Sequence, residues 1–444
     1  MAGTQILVFA TAFVLAFSCF AAAGRSSQNI LVLLDDESIK TSHSIFFDSL
    51  TARGHKLDFS LATADVKLQK FGEYFYDSLI LFAPTVEEFG GTLDVAGILE
   101  FIDTGHNVLV AASSRISETI RELADECGVE FDDDDAYVID HLNYDVRDDS
   151  GQHTLIVADD VISSQIILGG PLSAPILYKG IGQVIRENNP LVYKILSGSA
   201  TSYSYIPTKA IKDSPLAAGT NTLLVTSLQA RNNARVTFSG SLDLFSNKFF
   251  GSSIQKYSPG GSPKVYPKSG NEQFATELTK WTFQERGLLR VENVRFAVNN
   301  GSDFPKTIRI KDTLTYSAKI EEYKDGKWVP FKASDVQLEF TMLSPFVRVN
   351  LKHDDQGLFF TSFQVPDVYG VFKLFLHYRR IGYGTLTDSK QVAVRPFHTD
   401  EYERFIVAAF PYYASSFMMM VGFFVFGLVF LYSKDSSAPK SKSQ

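Results

Sequence analysis

Residues 29–50 read NILVLLDDESIKTSHSIFFDSL, and this stretch decides how the first half of the chain is interpreted. It opens with a short apolar run that ends in two aspartates, a pattern typical of a parallel strand buried on both faces. The following residues place Ile45, Phe46 and Leu50 on one helical face, and Gly54 can end that helix. A buried strand followed directly by an amphipathic helix predicts the first unit of an α/β fold.

The same alternation of strand and helix continues to about residue 128. Strands are predicted within residues 55–62, 76–84 and 106–112, of which the one in 76–84 is again buried. Helical patterns that end at Gly105 and Gly128 follow the last two of these strands. Strands spaced in this way indicate a doubly wound sheet, and we expect a flavodoxin- or glutamine-amidotransferase-like domain over residues 24–150. Residues 131–151 interrupt the pattern and are interpreted as a polar connection.

Residues 151–287 predict a second α/β lobe. Short apolar runs indicate strands, among them HTLIVAD, IILGG, APILY, NTLLVTSLQ and ARVTFSGSL. Residues 258–270 are rich in glycine, serine and proline and predict a loop. A helix follows over residues 273–287, where Gly287 ends it.

From Leu288 onward the pattern changes to strict alternation of apolar and polar residues. In VFKLFLHYR, for example, Phe372, Leu374, Leu376 and Tyr378 fall on one side of the predicted strand. Similar runs recur with turns about every ten residues, which indicates an immunoglobulin-like β-sandwich over residues 288–397.

The chain has two hydrophobic segments, and we predict a different role for each. Residues 1–23 contain a short apolar run and then Ala21 and Ala23, the small-residue pattern of a cleaved signal peptide. Residues 405–432 carry no charged side chain and are long enough to form a transmembrane helix.

The charges beside the second segment predict its orientation. Acidic residues precede the segment, whereas Lys434, Lys440 and Lys442 follow it, so residues 433–444 are predicted to be a cytosolic tail. The chain is then a type I membrane protein with its bulk in the lumen. Lys440 and Lys442 stand five and three places from the end, respectively, as in the K-x-K-x-x signal for retrieval to the endoplasmic reticulum. The alternative is a plain basic tail that stops transfer.

The composition argues against nucleic-acid binding and limits the disulfides that the chain can form. The net charge is −8 and no basic stripe occurs, so no nucleic-acid partner is expected. Only Cys19 and Cys127 are present, and removal of the signal peptide leaves Cys127 without an intramolecular disulfide partner.

Few residues suggest chemistry. Asp35 and Asp36 follow the first strand, where doubly wound sheets bind ligands, and could hold a cation or simply be solvated. The run Asp132–Asp135 contains Asp-x-Asp, which some glycosyltransferases use to bind a metal, although any acidic loop matches it. No nucleophile, phosphate-binding or zinc motif occurs, so no cofactor or metal is expected. Asn300 begins the sequon Asn-Gly-Ser, which also fits a tight turn.

Five segments resemble one known family from end to end: residues 29–50, 78–84, 238–250, 287–296 and 394–420. The chain is similar to the 48 kDa subunit family of the oligosaccharyltransferase complex. This resemblance implies a non-catalytic role, because the complex transfers a preassembled glycan from dolichyl diphosphate to Asn-x-Ser/Thr sites with a catalytic centre on another subunit. It implies as partners the multi-span catalytic subunit, ribophorin-type subunits, the small defender-against-death-type subunit and the lipid of the endoplasmic reticulum membrane.

Two other functions stay open at this point. One is an independent luminal glycosyltransferase or hydrolase that uses the acidic pairs. The other is a cargo or adhesion receptor whose sandwich serves as a stalk. Small residues in the last hydrophobic segment, including Gly422 and Gly427, predict that its helix packs against a partner helix.

Overall fold

A computed structural model describes residues 27–434, apart from residues 92, 149–150, 187–188, 213, 300, 302, 325 and 403. Within these residues the chain forms an α/β module, a β-sandwich and one long apolar helix. The predicted signal peptide (residues 1–23) and all but the first two residues of the predicted tail lie outside the described residues.

The α/β module comprises most of the short elements. Its strands are β1 (Asn29–Leu34), β2 (Lys56–Leu61), β3 (Gln69–Lys70), β4 (Glu73–Tyr74), β5 (Ser78–Phe82), β6 (Asn107–Ala111), β7 (Val129–Phe131), β8 (Tyr137–Ile139), β9 (Ile156–Ala158), β10 (Asp160–Val161), β11 (Ile176–Tyr178), β12 (Gln183–Ile185), β13 (Val192–Ser197), β14 (Tyr203–Tyr205), β15 (Leu223–Gln229), β16 (Arg235–Ser239), β17 (Ile254–Lys256) and β18 (Lys264–Tyr266). Its helices are α1 (Ser38–Ser42), α2 (Ser44–Ala52), α3 (Val95–Asp103), α4 (Glu118–Glu126), α5 (Gln165–Leu168), α6 (Asn247–Gly251) and α7 (Asn271–Thr282).

One large sheet organises this module. Its main path runs β10-β13-β15-β16-β6-β5-β1-β2, and β12 links β15 to β7. The half from β16 to β2 is parallel, whereas β10, β13, β15 and β16 pair antiparallel. Strands from both sides of residue 150 therefore belong to the same sheet.

Helices cover both faces of the sheet. On one face, Phe46 of α2 and Trp281 of α7 share a core cluster with Phe82 of β5. On the other, Phe101 of α3 and Leu123 of α4 pack in a second cluster. Burial on both faces explains why β1, β5 and β6 are nearly continuous apolar runs.

Three local expectations for the α/β region were wrong. The run IILGG lies in and directly after α5 rather than in a strand, because a short apolar run has no period that separates the two. The predicted loop at residues 258–270 contains β18, which pairs with β17. The predicted polar connection, residues 131–151, contains β8 and several buried aspartates.

The sandwich consists of two packed sheets. Its strands are β19 (Leu288–Val298), β20 (Thr307–Arg309), β21 (Thr313–Lys324), β22 (Lys327–Pro330), β23 (Gln337–Thr341), β24 (Pro345–Asn350), β25 (Lys352–His353), β26 (Leu358–Gln364), β27 (Gly370–Tyr378) and β28 (Leu386–Arg395). One sheet has the order β19-β21-β26-β25 with β22 beside β21, and the other has the order β20-β28-β27-β23-β24. The alternation predicted for β27 is observed, since Phe372, Leu374, Leu376 and Tyr378 are all buried in the shared core.

The loop between β27 and β28, residues 379–385, joins the sandwich to the α/β module. Trp281 Nε1 donates a hydrogen bond to Gly382 O at 2.7 Å, and Gln229 Nε2 donates to Tyr383 O at 2.7 Å. These contacts lie at the amino edge of the parallel strands. Arg235 is the first residue of β16, and Gln229 is the last residue of β15, which pairs antiparallel with β16. We call this contact region the joint.

The last element, α8 (Phe410–Tyr432), follows a short 3-10 turn at Val407–Ala409. Residues Val407–Tyr432 form a helix long and apolar enough to cross a membrane, and none of it is buried against the rest of the chain. Pro411 occupies the first turn, where its missing N–H costs no helical hydrogen bond.

Candidate functional site

Asp35 lies at the carboxyl edge of the parallel strands, as expected from sequence. Its Oδ2 atom accepts hydrogen bonds from Thr85 Oγ1 at 2.6 Å and from Thr85 N at 3.2 Å. Its backbone N–H donates to Phe82 O at 3.1 Å. Asp35 therefore ties the loop after β5 to the end of β1.

Asp36 has a different set of partners. Its two carboxylate oxygens accept hydrogen bonds from Ser38 N at 3.3 Å and Ser38 Oγ at 3.1 Å, at the start of α1. The two aspartates thus bond to separate groups. Among the described residues, no group of three or more histidine, cysteine, aspartate or glutamate side chains is placed to hold a metal ion.

The acidic run Asp132–Asp135 is neither a metal-binding pair nor a fully solvated loop. Asp134 pairs with Arg121 at 2.7 Å, and Asp135 pairs with Arg115 at 3.1 Å. Asp132 is buried, and burial raises its pKa above the ordinary value despite the opposing effect of the nearby Ser204 hydroxyl. Asp132, Asp134 and Asp135 therefore have separate surroundings.

A cavity of about 730 Å³ lies beside Asp132. Asp132 and Ser204 form part of one wall, and Lys209 and Lys212 contribute to its lining. It adjoins the carboxyl edge of the sheet, because Asp135 N donates to Ser114 O in the segment that follows β6. Such a mixture of acidic, basic and hydroxyl groups can bind a polar ligand but contains no activated nucleophile.

Sequence reasoning missed two buried carboxylates in residues 131–151. Asp140 accepts hydrogen bonds from Thr201 Oγ1 at 2.9 Å and from the backbone of Leu142 and Asn143, and it also accepts one from Ser199. Burial alone would raise the pKa of Asp140, but these hydrogen bonds hold it below its usual range. The sequence offers only a weak signal for this role of Asp140, namely an aspartate two residues before a turn.

The second missed carboxylate, Asp145, is fully buried and bonded to Arg147. The guanidinium donates to both carboxylate oxygens, at 2.9 and 2.8 Å, and Gln255 N donates at 3.1 Å. Burial opposes ionisation, but the Arg147 hydrogen bonds lower the pKa of Asp145. Asp145 therefore anchors the connection to the β17 region and is not free for chemistry.

Cys127 caps the end of α4 and is buried. Burial raises its pKa to about 12, with Glu126 and Asp103 adding to the effect. The protonated thiol at neutral pH is a small apolar residue of the core and not a nucleophile.

Arg235 is the most deeply buried cation of the described chain and lies at the joint. Its guanidinium donates to Arg286 O at 2.8 Å, to Gly287 O and Gly382 O at 3.3 Å, and also to Trp281 O. It stacks over the Trp281 ring at 4.5 Å. Burial lowers the pKa of Arg235 to about 9, so the charge persists at neutral pH.

The apolar helix carries no functional side-chain cluster of its own. A methyl group added at Gly422 or at Gly427 would meet no atom within 4 Å. Because five residues correspond to about 140° around an α-helix, these glycines lie on different faces. Gly422 shares a face with Ser415, and Gly427 shares one with Ser416.

Three residues predicted as sites, namely Asn300, Lys440 and Lys442, lie outside the described residues. Their neighbours show only the local context: Asn299 Oδ1 accepts a hydrogen bond from Thr313 N at 3.1 Å, and Gly301 N donates to Val298 O at 2.8 Å.

Fold and site together define a two-module protein with one apolar carboxyl-terminal helix, whose acidic residues mostly bond to neighbouring loops and helix ends. The family model described as OST48, N-terminal domain, matches residues 21–285, and the OST48 middle domain matches residues 296–434. The chain belongs to the family of 48 kDa subunits of dolichyl-diphosphooligosaccharide–protein glycosyltransferase.

Relatives that carry this name match almost the whole chain. The Arabidopsis thaliana protein is 48% identical over 95% of this chain and 96% of its own length. The Danio rerio protein is 49% identical over 95% of this chain and 96% of its own length. The Drosophila melanogaster protein is 45% identical over 97% of each chain. Among solved structures, a putative ThuA-like protein from Parabacteroides merdae covers 57% of this chain and 89% of its own at 12% identity, with a TM-score of 0.29, which is too low to define a fold.

Proposed function

We propose that this chain is a non-catalytic subunit of the oligosaccharyltransferase of the endoplasmic reticulum membrane. That complex transfers a preassembled glycan from dolichyl diphosphate to asparagine in Asn-x-Ser/Thr sites of nascent proteins. The observation that carries the proposal is the 45–49% identity to proteins named as its 48 kDa subunit, over 95% or more of the chain.

The chemistry of the candidate site supports an accessory role. Asp35, Asp36, Asp134 and Asp135 each bond to a neighbouring structural group, and Cys127 is a buried thiol. Glycosyl transfer needs a free base or a metal to activate the acceptor. We therefore place the reaction on the multi-span subunit and assign to this chain the assembly and positioning of luminal domains, beside the ribophorin-type and defender-against-death-type subunits.

The joint is the feature that suits a positioning role. Backbone and side-chain hydrogen bonds on both modules converge there, including Thr385 N to Asn233 Oδ1 at 2.6 Å and Gly384 N to Gly287 O at 2.7 Å. A joint built from buried, directional bonds holds two modules in one orientation better than a flexible linker does. We interpret the α/β module as flavodoxin-like, with its predicted lobes 24–150 and 151–287 sharing one sheet. We interpret the sandwich, residues 288–397, as immunoglobulin-like.

The proposed topology follows from charge and hydropathy. Residues 1–23 serve as the signal peptide, residues 405–432 cross the membrane, and residues 433–444 face the cytosol, where Lys440 and Lys442 act in retrieval. Asn300 is then luminal and is offered as a glycosylation site.

The proposal also includes contact between the crevice at Asp35 and Asp36 and the glycan donor. This edge lies opposite the joint, since the joint contacts the amino ends of the strands. In an intact complex, Asp35→Asn with Asp36→Asn should weaken donor binding, whereas unchanged donor affinity would remove the crevice from the proposal.

Purification in mild detergent tests the main proposal. We expect the chain to copurify with a multi-span glycosyltransferase subunit, and the isolated luminal portion to lack transfer activity. A chain that migrates alone, or transfer activity in the isolated luminal portion, would contradict it. Gly422→Leu and Gly427→Leu, made separately, identify which face of α8 packs on a partner, because the two glycines lie on different faces.

A further inference from the structure

The sandwich has two ends with different surroundings. At one end the loop between β27 and β28 enters the joint. At the other, β28 finishes at Arg395 and the chain proceeds to α8. The nine residues of β27 separate these ends by about 30 Å at about 3.4 Å per residue. The end at Arg395 is therefore the one nearest the apolar helix.

Exposed apolar side chains concentrate at this end. Leu343 is 98% exposed, Tyr369 67% and Val371 60%, and Phe346 is also exposed. We call these four residues the apolar tip. Singly exposed apolar residues are ordinary, but a group of them marks a surface that contacts a partner or a membrane.

Strand register shows that the four residues share one end of the sandwich. Gly370 pairs with Val394, one residue before β28 ends. A methyl group added at Gly370 would lie 3.0 Å from the sulfur of Met342, which precedes Leu343 in the turn from β23 to β24. That turn and the start of β27 therefore touch.

The connection from the sandwich to α8 is short because part of it is bound to the sandwich. Glu401 accepts two hydrogen bonds from the Arg395 guanidinium, at 2.6 and 2.8 Å, and a third from His398 N at 2.9 Å. These bonds hold residues 395–401 against the end of the sandwich. The five residues 402–406 then span at most about 18 Å, at up to about 3.6 Å per residue, before the 3-10 turn that leads into α8.

We propose that the apolar tip inserts into the lipid headgroup layer of the membrane that α8 crosses. The inference goes beyond the proposed subunit role and rests only on α8 being a membrane span. The headgroup layer is about 5–8 Å thick on each side of a hydrocarbon core of about 30 Å. A connection of at most about 18 Å holds the tip near the membrane surface and allows it to reach this layer. Leucine and valine favour the apolar side of this layer, and tyrosine is typical of the interface itself.

One charged side chain of β27 suits this placement. Lys373 follows Val371 on the same outward face of β27, where its ammonium can reach a lipid phosphate while its carbon chain covers apolar surface. Contact at the tip gives the sandwich a second attachment besides α8. Two attachments restrict its tilt, and through the joint they restrict the α/β module as well.

A fluorescent probe at the tip tests the proposal in the intact complex, reconstituted in phosphatidylcholine nanodiscs. Leu343→Cys carries an environment-sensitive dye, and the native Cys127 is buried. The parent complex, treated with the same dye, gives the background signal from all other cysteines, which is subtracted. The matched control is Leu61→Cys, an exposed leucine at the end of β2, on the sheet edge opposite the joint. Nitroxide lipids report contact with the bilayer, and aqueous iodide reports contact with water.

We expect nitroxide lipids to quench the probe at residue 343 at least threefold more than the probe at residue 61. Val371→Asp should reduce that quenching by half or more, whereas Val265→Asp, at a 62% exposed position of the α/β module, should leave it unchanged. Quenching at residue 343 by iodide alone would overturn the proposal, since the tip would face water. Quenching by neither agent would also overturn it, because a protein partner would then cover the tip.

Discussion

Trp281 in the last turn of α7 donates its indole N–H to the carbonyl oxygen of Gly382 at 2.7 Å, and this bond crosses from one module to the other. Gly382 has a φ of +87°, in the left-handed region that favours glycine. The contact therefore depends on one donor and one backbone conformation that few residues adopt.

Replacing Gly382 with alanine should destabilise the joint. The new methyl group would lie 3.1 Å from Ile166 Cβ and 3.1 Å from Ile167 Cγ1, in addition to the strain of the positive φ. The matched control is Gly326→Ala in the hairpin from β21 to β22, where φ is +79° and nothing lies within 4 Å. We expect Gly382→Ala to cost about 1–3 kcal/mol more than the control, as overpacking does, in chemical unfolding of the detergent-solubilised chain. If the two variants lost the same free energy of unfolding, the contact between residue 382 and α5 would make no contribution to stability.

Arg235→Met should weaken the same joint through hydrogen bonding. Four carbonyl oxygens would lose their guanidinium donor inside a site that excludes water. A loss of about 1–3 kcal/mol follows, because Arg286 O is left without its donor. The other three oxygens, Trp281 O, Gly287 O and Gly382 O, keep the hydrogen bonds from Gln284 N, Gly384 N and Trp281 Nε1. Arg235→Lys should recover only part of it, because an ammonium cannot reproduce the planar fork. The measurement is thermal unfolding, with protease cleavage near residue 287 as a readout of joint opening. Full recovery of stability in Arg235→Lys would mean that the positive charge, and not the shape of the guanidinium, stabilises the joint.

The thiol of Cys127 should be inert in the native chain. Its pKa of about 12 leaves little thiolate at pH 7.5, and burial blocks access. We expect maleimide labelling to be more than about 100-fold slower than for an unhindered thiol, with full labelling after denaturation. Cys127→Ser provides the control, since any remaining signal reports Cys19. Rapid stoichiometric labelling of the folded protein would show that the α4 end opens readily.

Stability should decrease as the pH falls below about 6.5, and His43 should account for part of the decrease. Burial lowers the pKa of His43, although its contacts with Leu242 O and Ile39 O oppose the shift. The folded state then binds this proton less tightly than the unfolded state. The contribution of neutral His43 to the free energy of unfolding is complete above the unfolded pKa. It is lost as the pH falls from there toward the lower folded pKa.

The check is the melting temperature at pH 7.0 and pH 5.5. His43→Gln should flatten the dependence, and a remaining slope is expected from His153, whose pKa burial and the nearby His141 also lower. The control His377→Gln removes an exposed imidazole from β27 and measures the effect of losing a histidine outside the core. An unchanged slope in His43→Gln would assign the effect to other groups.

The aspartates show how far sequence reasoning reaches. The position of Asp35 at a strand end could be predicted, because strand and helix follow from residue spacing. Its partner Thr85 could not, since fifty residues separate them in the chain. The same limit applies to Asp140 and Asp145, which lie in a stretch that is polar in sequence yet buried by contacts with distant segments.

Sequence by itself determined the elements whose signal is local: the buried apolar run of β1, the alternation of β27, the uncharged helix α8 and the resemblance to one family. Only the tertiary structure decided that strands on both sides of residue 150 share one sheet and that Trp281 meets Gly382. It also decided that Leu343 and Tyr369 lie together at the end of the sandwich. Periodicity depends on the spacing of neighbours along the chain, whereas these contacts depend on chain paths that bring distant residues together.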